Sequence, residues 1–199
     1  MSMILEPELI ISAYSQGYFP MADEADGDLY WHNPDPRSIF PLKKLKMPRS
    51  FRKSLSSRPF EYKINTAFED VLRACADRDD TWISNDIILS YIKLHESGHC
   101  HSVETYENGE LIGGLYGVQI GGVFFGESMF SIVDGASKAA FYKLRDILLK
   151  QGFSLFDSQY INEHTKLLGA VEIPKILYLK KLQKGLASPC VFSYSGKEF

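Results

Sequence analysis

Few residues in this chain combine a reactive type with an informative setting, and Glu127 is the first of them. It stands in GGVFFGESMFS, residues 121–131, where a glycine pair opens an apolar run of the kind that makes a buried strand. An ionised carboxylate is costly to bury unless something pairs with it. Glu127 is therefore a candidate for holding a cation. A second constellation lies in LFDSQYINEH, where Asp157 and Gln159 stand two apart at the end of a short apolar run. Side chains at i and i+2 of a strand share a face, which would present a carboxylate and a neutral amide to one cleft. A satisfied polar cluster capping the next helix accounts for the same two residues.

Other reactive side chains organise into nothing comparable. LHESGHCH gathers His95, His99, Cys100 and His101, and His95 and His99 are four apart, as metal ligands on a helix can be. Gly98 breaks the helix between them and no carboxylate stands at a supporting spacing, so no metal is expected. Ser128 is not in a G-x-S-x-G elbow. Glu127 and Asp157 would suit a glycosidase pair only with a sugar cleft around them.

The elements that must position these groups follow from periodicity and punctuation. PELIISAYSQG predicts a helix with Pro7 in its first turn and Gly17 at its end. The stretch from Tyr18 to Leu42, dense in Pro, Asp and aromatics, reads as a rigid irregular loop. FEYKIN alternates like a strand. A helix follows over TAFEDVLRACA, with Thr66 and Glu69 spaced as a capping box, then another over NDIILSYIKLHESG with Ser84 as its cap. Asn108-Gly109 and Gly121-Gly122 are hairpin signals, and predict an antiparallel three-strand meander whose last strand runs into Glu127. GASKAAFYKLRDILLKQG is a helix, FSLFDSQ a short buried strand, and INEHTKLLG and IPKILYLKKLQKG two further helical pieces. The fold class is α/β (α+β), in the order of a GNAT-like acyltransferase unit.

Composition limits what such a unit can be. The chain has 199 residues, a length that suits one domain or one with a small appendage. A formal charge of −3 argues against a protein that is basic throughout. No apolar run approaches the roughly 18–20 residues of a membrane helix, and the first residues do not read as a signal peptide. Three widely spaced cysteines without a CxxC fit a reduced cytoplasmic protein. Charge is unevenly placed. Asp23, Glu24, Asp26 and Asp28 form an acidic loop, and Lys43, Lys44, Lys46, Arg49, Arg52, Lys53 and Arg58 follow with no acidic residue between them. That run is either a solvated basic linker or a contact surface for phosphates. A GNAT-like fold also invites acyl-CoA as donor. The segment SMFSIVDGASKAAF, where a pyrophosphate turn would lie, has one glycine, no arginine and a repelling Asp134.

Taken together, YFPM, WHNPDPRSIFPL, TWIS, LHESGHCHSVE, LIGGLYGV, GGVFFGESMFS, ASKAA and FDSQYINEHTKLLGAVEIP, in that order, resemble the leucyl/phenylalanyl-tRNA–protein transferase family over nearly the whole chain. The resemblance implies a small N-terminal domain over residues 1–60, shorter than in many members, and a GNAT-like catalytic domain over 61–199. It implies transfer of leucine, phenylalanine or methionine from an aminoacyl-tRNA to a protein beginning with arginine or lysine, in the bacterial N-end rule pathway, with no cofactor. It places Glu127, Asp157 and Gln159 at the catalytic centre and suggests Leu115, Phe124 and Leu148 as the lining of an aminoacyl pocket. Trp82 would stack a base and Arg49, Arg52, Lys53 and Arg58 would meet tRNA phosphates. Met21 stands where some members have an aromatic. The classes that compete are a GNAT-like acyl-CoA N-acyltransferase and a non-catalytic RNA-binding module.

Overall fold

The computed structural model describes residues 4–23, 28–77 and 81–193; Glu24 and Asp26 of the expected acidic loop lie outside them. Helix α1 (Pro7–Ser15) takes Pro7 in its first turn and stops before Gly17, whose φ of +87° suits glycine. Three short strands then occupy the stretch expected to be irregular: β1 (Phe19–Ala22), β2 (Leu29–His32) and β3 (Arg37–Phe40). The prolines and aspartates that suggested a loop sit mostly between these strands, and the aromatics within them favour extended backbone. The basic segment is a helix, α2 (Arg49–Ser57), preceded by a 3-10 turn over Leu42–Lys44. The remaining elements are β4 (Glu61–Ile64), α3 (Phe68–Ala76), α4 (Asn85–Glu96), β5 (Cys100–Glu107), β6 (Glu110–Ile120), β7 (Val123–Ser131), α5 (Ala136–Lys150), β8 (Leu155–Gln159), α6 (Glu163–Leu167), β9 (Val171–Ile173) and α7 (Lys175–Leu186). All the expected helices and the meander are present, and β9 is an addition.

Strands β1 and β2 form a two-stranded sheet, and the others make a seven-stranded sheet in the order β4-β5-β6-β7-β8-β3-β9. Strand β3, from the first sixty residues, is thus an interior strand of the large sheet. Every pairing in it is antiparallel except β7 with β8, which α5 joins as a crossover. This meander, helix and parallel strand form the expected GNAT-like order. Alternation sends Tyr116, Val118 and Phe125 to one face, where α1, α3, α4 and α7 bury them, and Leu115, Phe124 and Phe156 to the other, beneath α5.

Two irregularities shape the centre of the sheet. Strand β7 pairs with β8 only over Val123–Phe125 and then continues on β6 alone, so the two parallel strands part. Gly117 of β6 faces Gly126 of β7 and Tyr116 of β6 faces Ser128 of β7, which leaves Glu127 as the extra residue of a bulge on β7. A side chain at Gly117 would put its Cβ 2.3 Å from the Phe125 carbonyl oxygen, so the bulge requires glycine there.

Ser84 caps α4 as expected, its Oγ accepting the Ile87 N–H at 3.3 Å. The Thr66–Glu69 box does not form. Thr66 donates to the Ile64 carbonyl and Glu69 pairs with Arg73 one turn on. The start of α3 is held instead from β5, where Glu104 Oε1 accepts the N–H groups of Thr66 (3.1 Å) and Ala67 (3.3 Å) and the Ser102 hydroxyl (2.5 Å). A buried partner thereby displaces the local one. Glu104→Ala should lower the unfolding free energy by about 1–3 kcal/mol, read as a lower urea midpoint at unchanged slope. An unmoved midpoint would mean that α3 is held without Glu104.

Candidate active site

Where β7 and β8 part, a cavity of about 500 Å³ opens into the sheet. Its inner wall is apolar, built from Phe40, Leu115, Met129, Phe141, Leu144 and Phe156. Its other side carries Glu127, Gln159, Tyr160 and the hydroxyl-bearing Tyr116 and Ser158, with Met21 and Trp82 nearer the N-terminal sheet. Cavities of this size with few converging polar groups are the usual form of a small-ligand site.

The bulge swings Glu127 into contact with helices α1 and α4. Its Oε1 accepts the Tyr14 hydroxyl at 2.7 Å and Gln159 Nε2 at 2.8 Å, and Oε2 accepts the Tyr91 hydroxyl at 3.5 Å. Tyr14 and Tyr91 are themselves 2.5 Å apart. Among the described residues these hydrogen-bonding partners are all neutral. Burial pushes the Glu127 pKa up to about 8, against the opposing hydrogen bond from Tyr14 and with a further rise from Asp157. The tyrosines' own pKa values are raised by the same burial and by the neighbouring carboxylate.

Asp157 has the opposite setting. It is fully buried and bonded on both oxygens: Oδ1 accepts Arg37 Nε (3.0 Å) and the Gln159 N–H (2.9 Å), and Oδ2 accepts Arg37 (2.7 Å) and the Tyr178 hydroxyl (2.7 Å). Arg37, also fully buried, donates to the Gly17 carbonyl and lies between the rings of Phe19 and Tyr178, 4.7 and 4.6 Å from their centres. Burial works against its charge, but Asp157 outweighs it and holds the guanidinium pKa above its ordinary value. The expectation that Asp157 and Gln159 share one cleft is corrected. Gln159 has φ +61°, which breaks the strand's alternation and brings its side chain to the cavity while Asp157 stays behind it.

The first turn of α5 is closed to a phosphate in a further respect, since the Ser137 N–H already bonds Ser131 Oγ at 3.1 Å. The histidines are engaged separately. His95 bonds the Cys100 carbonyl and stacks on Phe68, His99 bonds the Gln119 carbonyl, and His101 meets Asn65. Among the described residues no group of three His, Cys, Asp or Glu could hold a metal, and no helix is long and apolar enough to cross a membrane.

Family models for the leucyl/phenylalanyl-tRNA protein transferase and for its N-terminal domain match residues 39–183 and 3–35. The chain belongs to the leucyl/phenylalanyl-tRNA–protein transferase family. A leucyl/phenylalanyl-tRNA–protein transferase of Gloeobacter violaceus is 48% identical over 96% of this chain and 100% of its own length, and one of Chlorobaculum parvum is 47% identical over 95% and 100%. Among solved structures, a ribosomal-protein-alanine N-acetyltransferase from Brucella melitensis biovar Abortus 2308 aligns with a TM-score of 0.38 at 14% identity, over 54% of this chain and 87% of that one.

Of the residues expected to form the site of this transferase, Glu127, Gln159, Leu115 and Trp82 line the cavity. Phe124 and Leu148 do not. Both are fully buried, and Phe124 packs behind the wall on Phe156 and Phe192. The wall is made instead by Phe141, Leu144, Phe156 and Met129, apolar residues that sequence does not distinguish from core. Arg49, Arg52 and Lys53 are exposed on α2, whereas Arg58 is held by Glu107. Helix α2 reaches the cavity's neighbourhood through Phe51, which abuts Gly135 and lies under Lys138, beside the lining residue Ser137. Tyr14, Tyr91, Arg37 and Tyr178 were missed. The tyrosines read as ordinary aromatics of their helices, and Arg37 stands in a stretch that reads as loop.

Because the folded-state pKa of Glu127 is raised, its stabilising contribution is complete at acid pH and lost as pH climbs from the ordinary carboxylate range through about 8. Glu127→Gln, which cannot titrate, should therefore gain stability relative to the parent across that window, measured as urea midpoints at several pH values. A gap independent of pH would contradict the raised pKa.

Proposed function

We propose that the chain moves leucine, phenylalanine or methionine from an aminoacyl-tRNA to the N-terminal arginine or lysine of an acceptor protein, in the cytoplasm and within the N-end rule pathway. The supporting observation is one cavity that joins an apolar wall to a carboxylate supplied with neutral donors. The apolar wall takes the donor's side chain, and Glu127 takes the acceptor's cation. Family membership supports aminoacyl-tRNA as donor and a protein as acceptor. Helix α1 and the β1–β2 sheet, within the first sixty residues, act as the small N-terminal unit, and the GNAT-like remainder carries the reaction.

The donor ester is already activated, so no covalent enzyme intermediate is needed. The acceptor's α-amine attacks the ester carbonyl, the new C–N bond forms, and the bond to the tRNA ribose oxygen breaks. The amine proton leaves with that oxygen. An α-amine with a pKa near ~8 is partly neutral at physiological pH, and holding it in line removes much of the entropic barrier. Gln159, whose Nε2 is committed to Glu127, offers its amide oxygen to the amine. Asp157 supports it through the backbone bond that fixes Gln159. Each methylene buried against the apolar wall is worth roughly 0.8 kcal/mol, which rejects small donors well and separates leucine from methionine poorly.

Incubation with radiolabelled leucyl-tRNA and an arginine-started peptide should move label into the peptide. Glu127→Gln should keep tRNA binding and lose most of the transfer, chiefly as a higher peptide KM. No transfer by the parent protein would sink this reading. The exposed Arg49, Arg52 and Lys53, with Lys43, Lys44 and Lys46 just before them, support a tRNA-facing role for α2. Replacing Arg49 and Arg52 with glutamine should weaken tRNA binding and flatten its log–log salt dependence by about 0.7–0.9 per lost contact. An unchanged slope would take α2 out of the interface.

A further inference from the structure

We propose that Tyr160 sets the acceptor preference of this chain by stacking the planar guanidinium of an N-terminal arginine against its ring. This rests on the aminoacyl-transfer reading above. Successive side chains of a regular strand point to opposite faces, yet Ser158, Gln159 and Tyr160 all line the cavity. The left-handed backbone at Gln159 breaks the alternation, and Asp157 fixes that turn through the Gln159 N–H. Tyr160 thereby lines the cavity directly after the amide that bonds Glu127.

The ring is buttressed. Its hydroxyl is 2.9 Å from His32 Nδ1, and it meets Phe19 and His32 edge to face at 5.6 and 5.9 Å. Phe19 is fully buried and stacks on His32, so the support reaches into the core. Despite these three contacts Tyr160 keeps 44% of its surface exposed. An aromatic ring held by its hydroxyl and by two perpendicular rings, in a residue that lines a cavity and keeps surface open, is a preformed platform for a flat group.

A guanidinium is flat, and its N–H donors lie in its plane. Its face can rest on a ring while an edge points at a carboxylate. Tyr160 supplies the ring and Glu127 the carboxylate. An ammonium is a compact, strongly hydrated point charge with no face. It gains the pairing with Glu127 and less from the ring. The arrangement therefore favours arginine over lysine at the acceptor's first position.

The test compares transfer from leucyl-tRNA to two peptides that differ only in beginning with arginine or lysine, with tRNA binding measured separately. Tyr160→Leu should lower kcat/KM for the arginine peptide by about threefold to thirtyfold, mainly through KM, and for the lysine peptide by less. The arginine-to-lysine ratio then shrinks, whereas Tyr160→Phe, which keeps the ring, retains most of it. A ratio unmoved in Tyr160→Leu overturns the proposal. So does an equal fall for both peptides with weakened tRNA binding, which would set the ring against RNA. If the parent protein transfers to neither peptide, the acceptor reading falls and this inference with it. If it transfers to both while the ratio ignores the ring, this inference alone falls.

Discussion

The buried ion pair between Arg37 and Asp157 is the constraint on which the rest of the site depends. Two charges taken out of water destabilise a fold unless their remaining donors and acceptors are met. Here Arg37 also bonds the end of α1 at Gly17, and Asp157 also bonds Tyr178 of α7 and the backbone of Gln159. One electrostatic contact thus ties β3, β8, α7 and the α1 terminus to a common point. The left-handed Gln159 stands directly on it, and the cavity's polar side follows from that residue's conformation.

The two carboxylates of the centre are treated oppositely, and the difference defines their work. Asp157 receives a full cation, Arg37, on both of its oxygens. Glu127 receives hydroxyls and an amide, which bond it without neutralising it, so burial raises its pKa to about 8. At neutral pH a group with that pKa is mostly protonated, so an incoming cation would displace its proton and become the charged partner the site lacks. Paired environments that separate the behaviour of two like groups are a common way to divide roles within one site.

Sequence made the parts with local causes legible. The meander could be read from Asn108-Gly109 because that turn needs two positive φ values, which it has. Glu127 stood out because a carboxylate among glycines and phenylalanines has no local reason to be there. Arg37 did not stand out, since PDPRSIF reads as loop and its partner lies 120 residues on. Tyr14 and Tyr91 are 77 positions apart, and each fits its own helix as an ordinary aromatic. Phe124 and Leu148 show the converse problem. Apolar identity predicts burial but not whether a side chain faces a cavity or the packing behind it. The start of α3 follows the same logic, because a plausible local cap lost to Glu104 from another element.

The separation of Arg37 and Asp157 along the chain also orders events during synthesis. Growing from the N-terminus at roughly 5–20 residues per second, the chain presents Arg37 on the order of ten seconds before Asp157 is made. Until then the guanidinium lacks the anion it meets in the folded sheet, and strand β3 lacks both of the strands it pairs with, β8 and β9. An interior strand of the sheet is thus among the first to be translated while its two neighbours are the last strands made, so the sheet closes only when both ends of the chain have come together.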